Sequence, residues 1–193
     1  MSDIPKHFKV AISTMKETSY DEDHKEYMTK SEVEVFNFDT LKDWYSESIG
    51  GRDNKLNLKS NDALFHKDGH FTFIEFKNGD VHRSGPRKEL QQKIYDSFVI
   101  LCDPVTEADK VLENFEGNAS YFRKNIDYIL VYNESKNKSC KSSKKFIWDR
   151  LDEKAKNPRF GLAYFKGYLF RNVYTYTEQE FEERFISNVS ANN

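Results

Sequence analysis

Residues 71–77, FTFIEFK, put apolar side chains on both sides of an extended chain. Thr72, Ile74 and Phe76 point one way, and Phe71, Phe73, Glu75 and Lys77 the other. The pattern predicts a strand buried on both faces that ends in an acid and a base. Residues 61–66 predict a strand before it, joined through a short KDG-containing turn into an antiparallel hairpin. Upstream, residues 8–14 and 31–38 alternate more weakly, with Phe8, Val10 and Ile12 in the first and Val33 and Val35 against Glu32 and Glu34 in the second. They predict an N-terminal hairpin around the acidic stretch YDEDHKE. Between the two hairpins, Leu41, Trp44, Tyr45 and Ser48 share a helix face; Asp39 or Thr40 can cap this helix and Gly50-Gly51 stops it.

Beyond the second hairpin, Pro86 suits the first turn of a helix running from Ser84 to Leu101, with Leu90, Ile94, Ser97, Phe98 and Leu101 as its buried stripe. Pro104 ends it. Short helices are expected over 106–116 and 118–125, then a strand, DYILVY, over 127–132. A polar, lysine-rich loop, a helix to Lys156, a strand over 167–176 and a closing helix with the capping box TEQE complete the chain. This order predicts one α/β domain over residues 1–193, a mixed central sheet with helices on both faces. Its parts are an N-terminal β-hairpin extension (5–38), a core (39–132) and a C-terminal helix–strand–helix (143–189).

Composition narrows the function classes. The chain has 193 residues, 37% hydrophobic and 32% charged, with 16 Phe and 11 Tyr, which suits a single aromatic-rich core and excludes wholesale disorder. With a net charge of -2, nucleic-acid binding has to rest on a local patch. Cys102 and Cys140 have no metal-type spacing and suit a reducing compartment. The longest apolar run, Phe98 to Cys102, is too short to span a bilayer, so the expectation is a cytoplasmic protein with no membrane partner.

The charged end of the second strand is where chemistry enters. If Lys67 to His70 connect the hairpin so that His66 faces Phe71, Asp62 lies opposite Glu75 on the same face. Two carboxylates in apolar surroundings repel each other and resist desolvation unless a cation lies between them. Mg²⁺ or Mn²⁺ answers that need and keeps waters for a phosphate, and Lys77, one pleat further on, can assist the water or the transferring group. E-x-K by itself is also an ordinary same-face ion pair. His66 and His70 lack a third ligand at zinc-like spacing and read as hairpin-end residues.

Asp62 followed by Glu75-Phe76-Lys77 on a hairpin, with a helix before and a helix after, resembles the PD-(D/E)XK nuclease superfamily. In the helix after the hairpin, KELQQKIYDS, Gln91 and Tyr95 look like the QxxxY motif of RecB-type members. The resemblance covers residues 39–102 and departs from the family pattern at Asn61, which stands where the family name has Pro. It implies a restriction-endonuclease-like core and a Mg²⁺- or Mn²⁺-dependent nuclease acting on DNA. Asp62, Glu75 and Lys77 would be catalytic, supported by Gln91 and Tyr95; Asp62 and Glu75 would hold the metal, with Glu47 from the preceding helix as a third candidate. Lys93, Lys138, Lys141, Lys144 and Lys145 are candidates for contact with nucleic acid. The alternatives are an inactive protein- or nucleic-acid-binding module on the same fold and a phage-defence or toxin effector that needs a partner; the partners expected are DNA and, in addition, a second copy of the chain (a homodimer) or another protein.

Overall fold

The computed structural model describes residues 4–50, 56–137 and 158–191. In chain order the elements begin with α1 (Lys6–Val10), β1 (Ile12–Thr14), α2 (Met15–Thr18), β2 (Tyr20–Asp21), β3 (Glu26–Tyr27) and β4 (Glu34–Asn37). They continue with α3 (Phe38–Gly50), β5 (Ala63–Lys67), β6 (His70–Lys77), α4 (Ser84–Cys102), α5 (Ala119–Asn125) and β7 (Ile126–Tyr132). After β8 (Asn172–Thr177), the closing helix starts as α6 (Glu178–Phe181), widens into a π-turn at Glu182–Ile186 and ends as α7 (Ser187–Ala191).

Six strands form one mixed sheet in the order β1-β4-β5-β6-β7-β8. The pairs from β1 through β6 are antiparallel, and β6-β7 and β7-β8 are parallel. Parallel pairing requires a crossover, which α4 and α5 supply between β6 and β7. As expected, β6 is buried on both faces. One face carries Leu64, Phe71, Phe73, Tyr128 and Leu130 beneath residues of α3, α4 and α5. The other carries Phe65, Ile74, Phe76, Ile129 and Val131 beneath Met15 and the closing helix. At the centre, Phe73 has no exposed surface and meets Phe38 edge-on at 5.1 Å, with Phe122 and Phe170 also against it. Burying such a ring stabilises the fold by roughly 1.5–3 kcal/mol.

Several local expectations change. The hairpin turn is tighter than a four-residue connection: Lys67 pairs with His70, leaving Asp68 and Gly69, both at positive φ (51° and 72°), as a two-residue turn. The register of the strands is nevertheless the expected one. Residues 6–10 form a helix, because Phe8 and Lys9 donate to Pro5 O and only Phe8 enters the core; Val10 and Ile12 are exposed. The N-terminal hairpin is β1 with β4, and since β4 also pairs with β5 it is the edge of the main sheet rather than an appendage. In place of the helix expected over 106–116, 3₁₀ turns stand at Pro104–Thr106 and Ala108–Lys110, separated by Glu107 at a φ of 51° that an α-helix does not accept. The last strand starts at Asn172, later than expected, and the Thr177/Glu180 capping box is formed. The helix expected to end at Lys156 lies outside the described residues.

Candidate functional site

Asp62 stands one residue before β5, and the register that pairs Ala63 with Ile74 puts it opposite Glu75. Because β5 begins only at Ala63, the Asp62 side chain takes the role of a strand acceptor: its Oδ2 receives the Phe76 N–H at 2.6 Å. Its carbonyl accepts the Phe38 N–H at 3.1 Å, which joins the start of α3 to the same point.

The helix α4 closes over this end of the hairpin. Asp96 Oδ2 accepts the Lys59 N–H at 2.9 Å and Ser97 Oγ accepts the Asn61 N–H at 2.9 Å. Those two bonds turn one flank of α4 toward Asp62, and one turn back on that flank is Lys93. Lys93 Nζ donates to Asp62 Oδ1 at 3.0 Å and to Glu75 Oε1 at 2.7 Å. Lys77 Nζ lies 3.8 Å from Glu75 Oε1 and donates to Glu89 Oε2 at 3.2 Å. Glu89 precedes Lys93 by four residues on the same helix face.

Glu75 is fully buried and its Oε2 has no partner. Burial, and next the neighbouring Asp62 carboxylate, push its acid up to about 8 against the pull of Lys93 and Lys77. The short contact to Lys93 favours the ionised acid, but one ammonium is shared between two carboxylates and Lys77 is shared with Glu89. Cationic charge therefore falls short of what the pair needs, and the upward direction prevails. Against the burial that lowers it, Asp62 and Glu75 hold the Lys93 ammonium above its ordinary value. Tyr128, on the strand beside Glu75, is buried with its hydroxyl unpartnered; burial, then Glu75 and Asp62, raise it well above the usual phenol.

The cluster borders an open cleft of about 490 Å³ whose wall includes Asp39, Asp62, Lys77, Asp80 and Glu89. The acidic β2–β3 hairpin forms the opposite wall and is held there by Asn78 Nδ2, which donates to Glu26 at 2.6 Å. Asp62 and Lys77 each keep a partly exposed side chain toward solvent, at 15% and 20%.

Asp62, Glu75 and Lys77 are thus brought together, and Lys93 joins them at the centre rather than at a nucleic-acid surface. Gln91 and Tyr95 are not brought there: each is two residues from Lys93, about 200° around the helix. Both are exposed, and Tyr95 packs on Phe165 at 5.6 Å. Glu47 is exposed and sits about 12 Å along α3 from the helix start that borders the site. The acid at that start is Asp39, which lines the cleft and accepts Ser60 Oγ at 2.5 Å; against burial, Ser60 and Lys42 hold it below the usual range. Asp39 and Glu89 were legible as helix-terminal and i,i+4 acids, but only the docking of the helices joins them to the site. Lys138, Lys141, Lys144 and Lys145 lie outside the described residues.

Among the described residues no group of three or more His, Cys, Asp and Glu side chains gathers as a metal cluster. A hard divalent ion is still compatible with the pair. Mg²⁺ is commonly held by one or two carboxylates plus water and phosphate oxygens, and the unpartnered Glu75 Oε2 is a buried donor of that type. No helix among the described residues is long and apolar enough to cross a membrane. Comparison of the chain with protein-family models, with curated proteins and with solved structures gave no match.

Proposed function

We propose that the protein is a metal-dependent phosphodiesterase of the PD-(D/E)XK kind, with a restriction-endonuclease-like core, that cleaves DNA. One observation carries this reading: a wholly buried carboxylate, Glu75, is set opposite a second, Asp62, with an oxygen left unpartnered. A fold spends stability on such an arrangement, since Lys93 serves only Asp62 Oδ1 and Glu75 Oε1 and the second Glu75 oxygen stays buried without a cation or donor. The hairpin followed by a helical crossover to a parallel strand is further support for the family core.

In this reading Asp62 and Glu75 hold Mg²⁺ or Mn²⁺. The ion supplies a Lewis acid that lowers the pKa of a water and offsets phosphate charge. Asp62, bonded to the Phe76 N–H, keeps its carboxylate fixed and at the cleft wall. Lys77 reaches the same wall from the strand and offers an ammonium to the reacting phosphate, while Glu89 holds its direction.

A second reading, an inactive binding module or an effector that needs a protein partner, draws on the acidity of the cleft. Glu17, Asp21, Glu22 and Asp23 face the route that a polyanion would take. Incubating the protein with single-stranded DNA, duplex DNA and RNA in Mg²⁺ or Mn²⁺ separates the two. Metal-dependent cleavage of DNA by the wild type, lost in Glu75→Ala and in Lys77→Ala, is expected. Absence of cleavage on every substrate favours the binding module, and equal cleavage by the variants overturns the mechanism assigned to Glu75 and Lys77.

A further inference from the structure

We infer that Lys93 is a resident counter-cation that occupies the place between Asp62 and Glu75 before a divalent ion binds, and that ion binding displaces it toward the carboxylates of the cleft. This rests on the metal reading above and adds a competitor that sets the affinity of the site.

The geometry is that of a bridge. A single ammonium contacts Asp62 Oδ1 at 3.0 Å and Glu75 Oε1 at 2.7 Å, with the lysine side chain only 13% exposed. Lys77, the lysine of the strand motif, stays at the margin of that place, 3.8 Å from Glu75 Oε1, and pairs more closely with Glu89 at 3.2 Å. A wholly buried carboxylate, Glu75, opposed to the half-buried Asp62 is destabilised unless a cation lies beside the two. Lys93 meets that need from a helix already fixed by Asp96 and Ser97.

Displacement is open to Lys93 because of its stem. The four-carbon chain is flexible and its ammonium keeps its charge on moving. Glu89 lies one turn away on the same helix and Asp39 lines the same cleft; both carboxylates already feel the Lys93 charge. A displaced ammonium therefore settles among acids at the cleft wall, where an entering phosphate passes. The divalent ion must replace an ammonium that two carboxylates already hold, so removing that ammonium strengthens metal binding.

The test uses Mn²⁺ alone. Its binding to wild type, Lys93→Met and Lys93→Arg is measured by calorimetry and by electron paramagnetic resonance, with thermal unfolding recorded with and without the ion. Lys93→Met keeps the stem without the charge and is expected to bind Mn²⁺ at least ~tenfold more tightly, a gain of about 1.4 kcal/mol. Its metal-free form unfolds at a lower temperature and gains more from Mn²⁺ than the wild type does, whereas Lys93→Arg binds no more tightly than the wild type. Equal or weaker binding by Lys93→Met, or equal tightening in Lys93→Arg, overturns the inference and leaves the metal reading standing. Absence of Mn²⁺ binding in the wild type and in every folded variant overturns both. Should Lys93→Met fail to fold, peptide-resolved acetylation of wild-type lysines decides the matter: Lys93 becomes more reactive when Mn²⁺ is added, and an unchanged rate refutes displacement.

Discussion

Replacing Asp62 separates its structural role from its chemical one. Asp62→Ala leaves the Phe76 N–H, now served at 2.6 Å, without an acceptor at a strand position where β5 has not begun. A buried donor left unpaired costs about 1–3 kcal/mol. The same change takes from Lys93 one of its two carboxylate partners. That loss is partly offset because Glu75 no longer faces a second negative charge. Asp62→Asn makes the same change in charge but keeps an oxygen that can accept from Phe76. The net charge change is common to both variants, so the difference between them reports the backbone bond, reduced by whatever the asparagine NH2 loses in facing the Lys93 ammonium. Asp62→Ala should therefore be less stable than Asp62→Asn by about 1–3 kcal/mol, while both lose metal-dependent cleavage. Urea unfolding of the two variants at one pH, followed by tryptophan fluorescence, gives the difference directly. Hydrogen exchange at Phe76 should be faster in the alanine variant alone. If the two unfold at the same urea concentration with the same slope, the side chain is not serving the strand and the account of Asp62 is wrong.

Two further outcomes follow from the same geometry. Gln91→Ala and Tyr95→Ala should leave Mn²⁺ affinity and cleavage within about twofold of wild type, since both side chains lie on the far flank of α4 from Lys93; a tenfold loss in either would show that the helix presents a different face. Burial lowers the His66 imidazole below its ordinary value, while Asp68 and Glu113 oppose this, and Nε2 is unpartnered. With the unfolded value at about 6.5, the unfolded chain binds the proton first. The contribution of His66 is full above that pH and is lost as pH falls toward the folded value. His66→Phe, which keeps the stack on Phe71, should show a smaller drop in urea midpoint between pH 7 and pH 5 than the wild type does. Equal drops would show that His66 does not contribute to the acid side of stability.

How far the fold was legible varied with the kind of signal. Strand β6 is found where FTFIEFK predicts it because apolar residues on both sides of a short run leave no other way to bury them. The hairpin register survived a wrong connection length: pairing Lys67 with His70 tightens the turn without moving any partner, so Asp62 still reaches Glu75. The N-terminal segment failed for the opposite reason. Phe8, Val10 and Ile12 alternate over too few residues, and one buried Phe in a single helical turn satisfies the same pattern.

The error in the helix is more instructive for the site. The stripe of α4 is Leu90, Ile94, Ser97 and Leu101, all buried, and it has two polar flanks. Gln91 lies on one and Lys93 with Glu89 on the other, and a helical wheel alone gives no reason to prefer either. The choice is made by tertiary bonds: Asp96 and Ser97 seize the backbone of Lys59 and Asn61 just before β5. That turns the Lys93 flank onto the carboxylates and leaves Gln91 and Tyr95 outside. A lysine read as a candidate for contact with nucleic acid thereby becomes the central charge of the site. The physical sign available beforehand was the charge imbalance itself. A buried acid opposed to a second one calls for positive charge at the point where they meet, and a lysine on the covering helix can supply it.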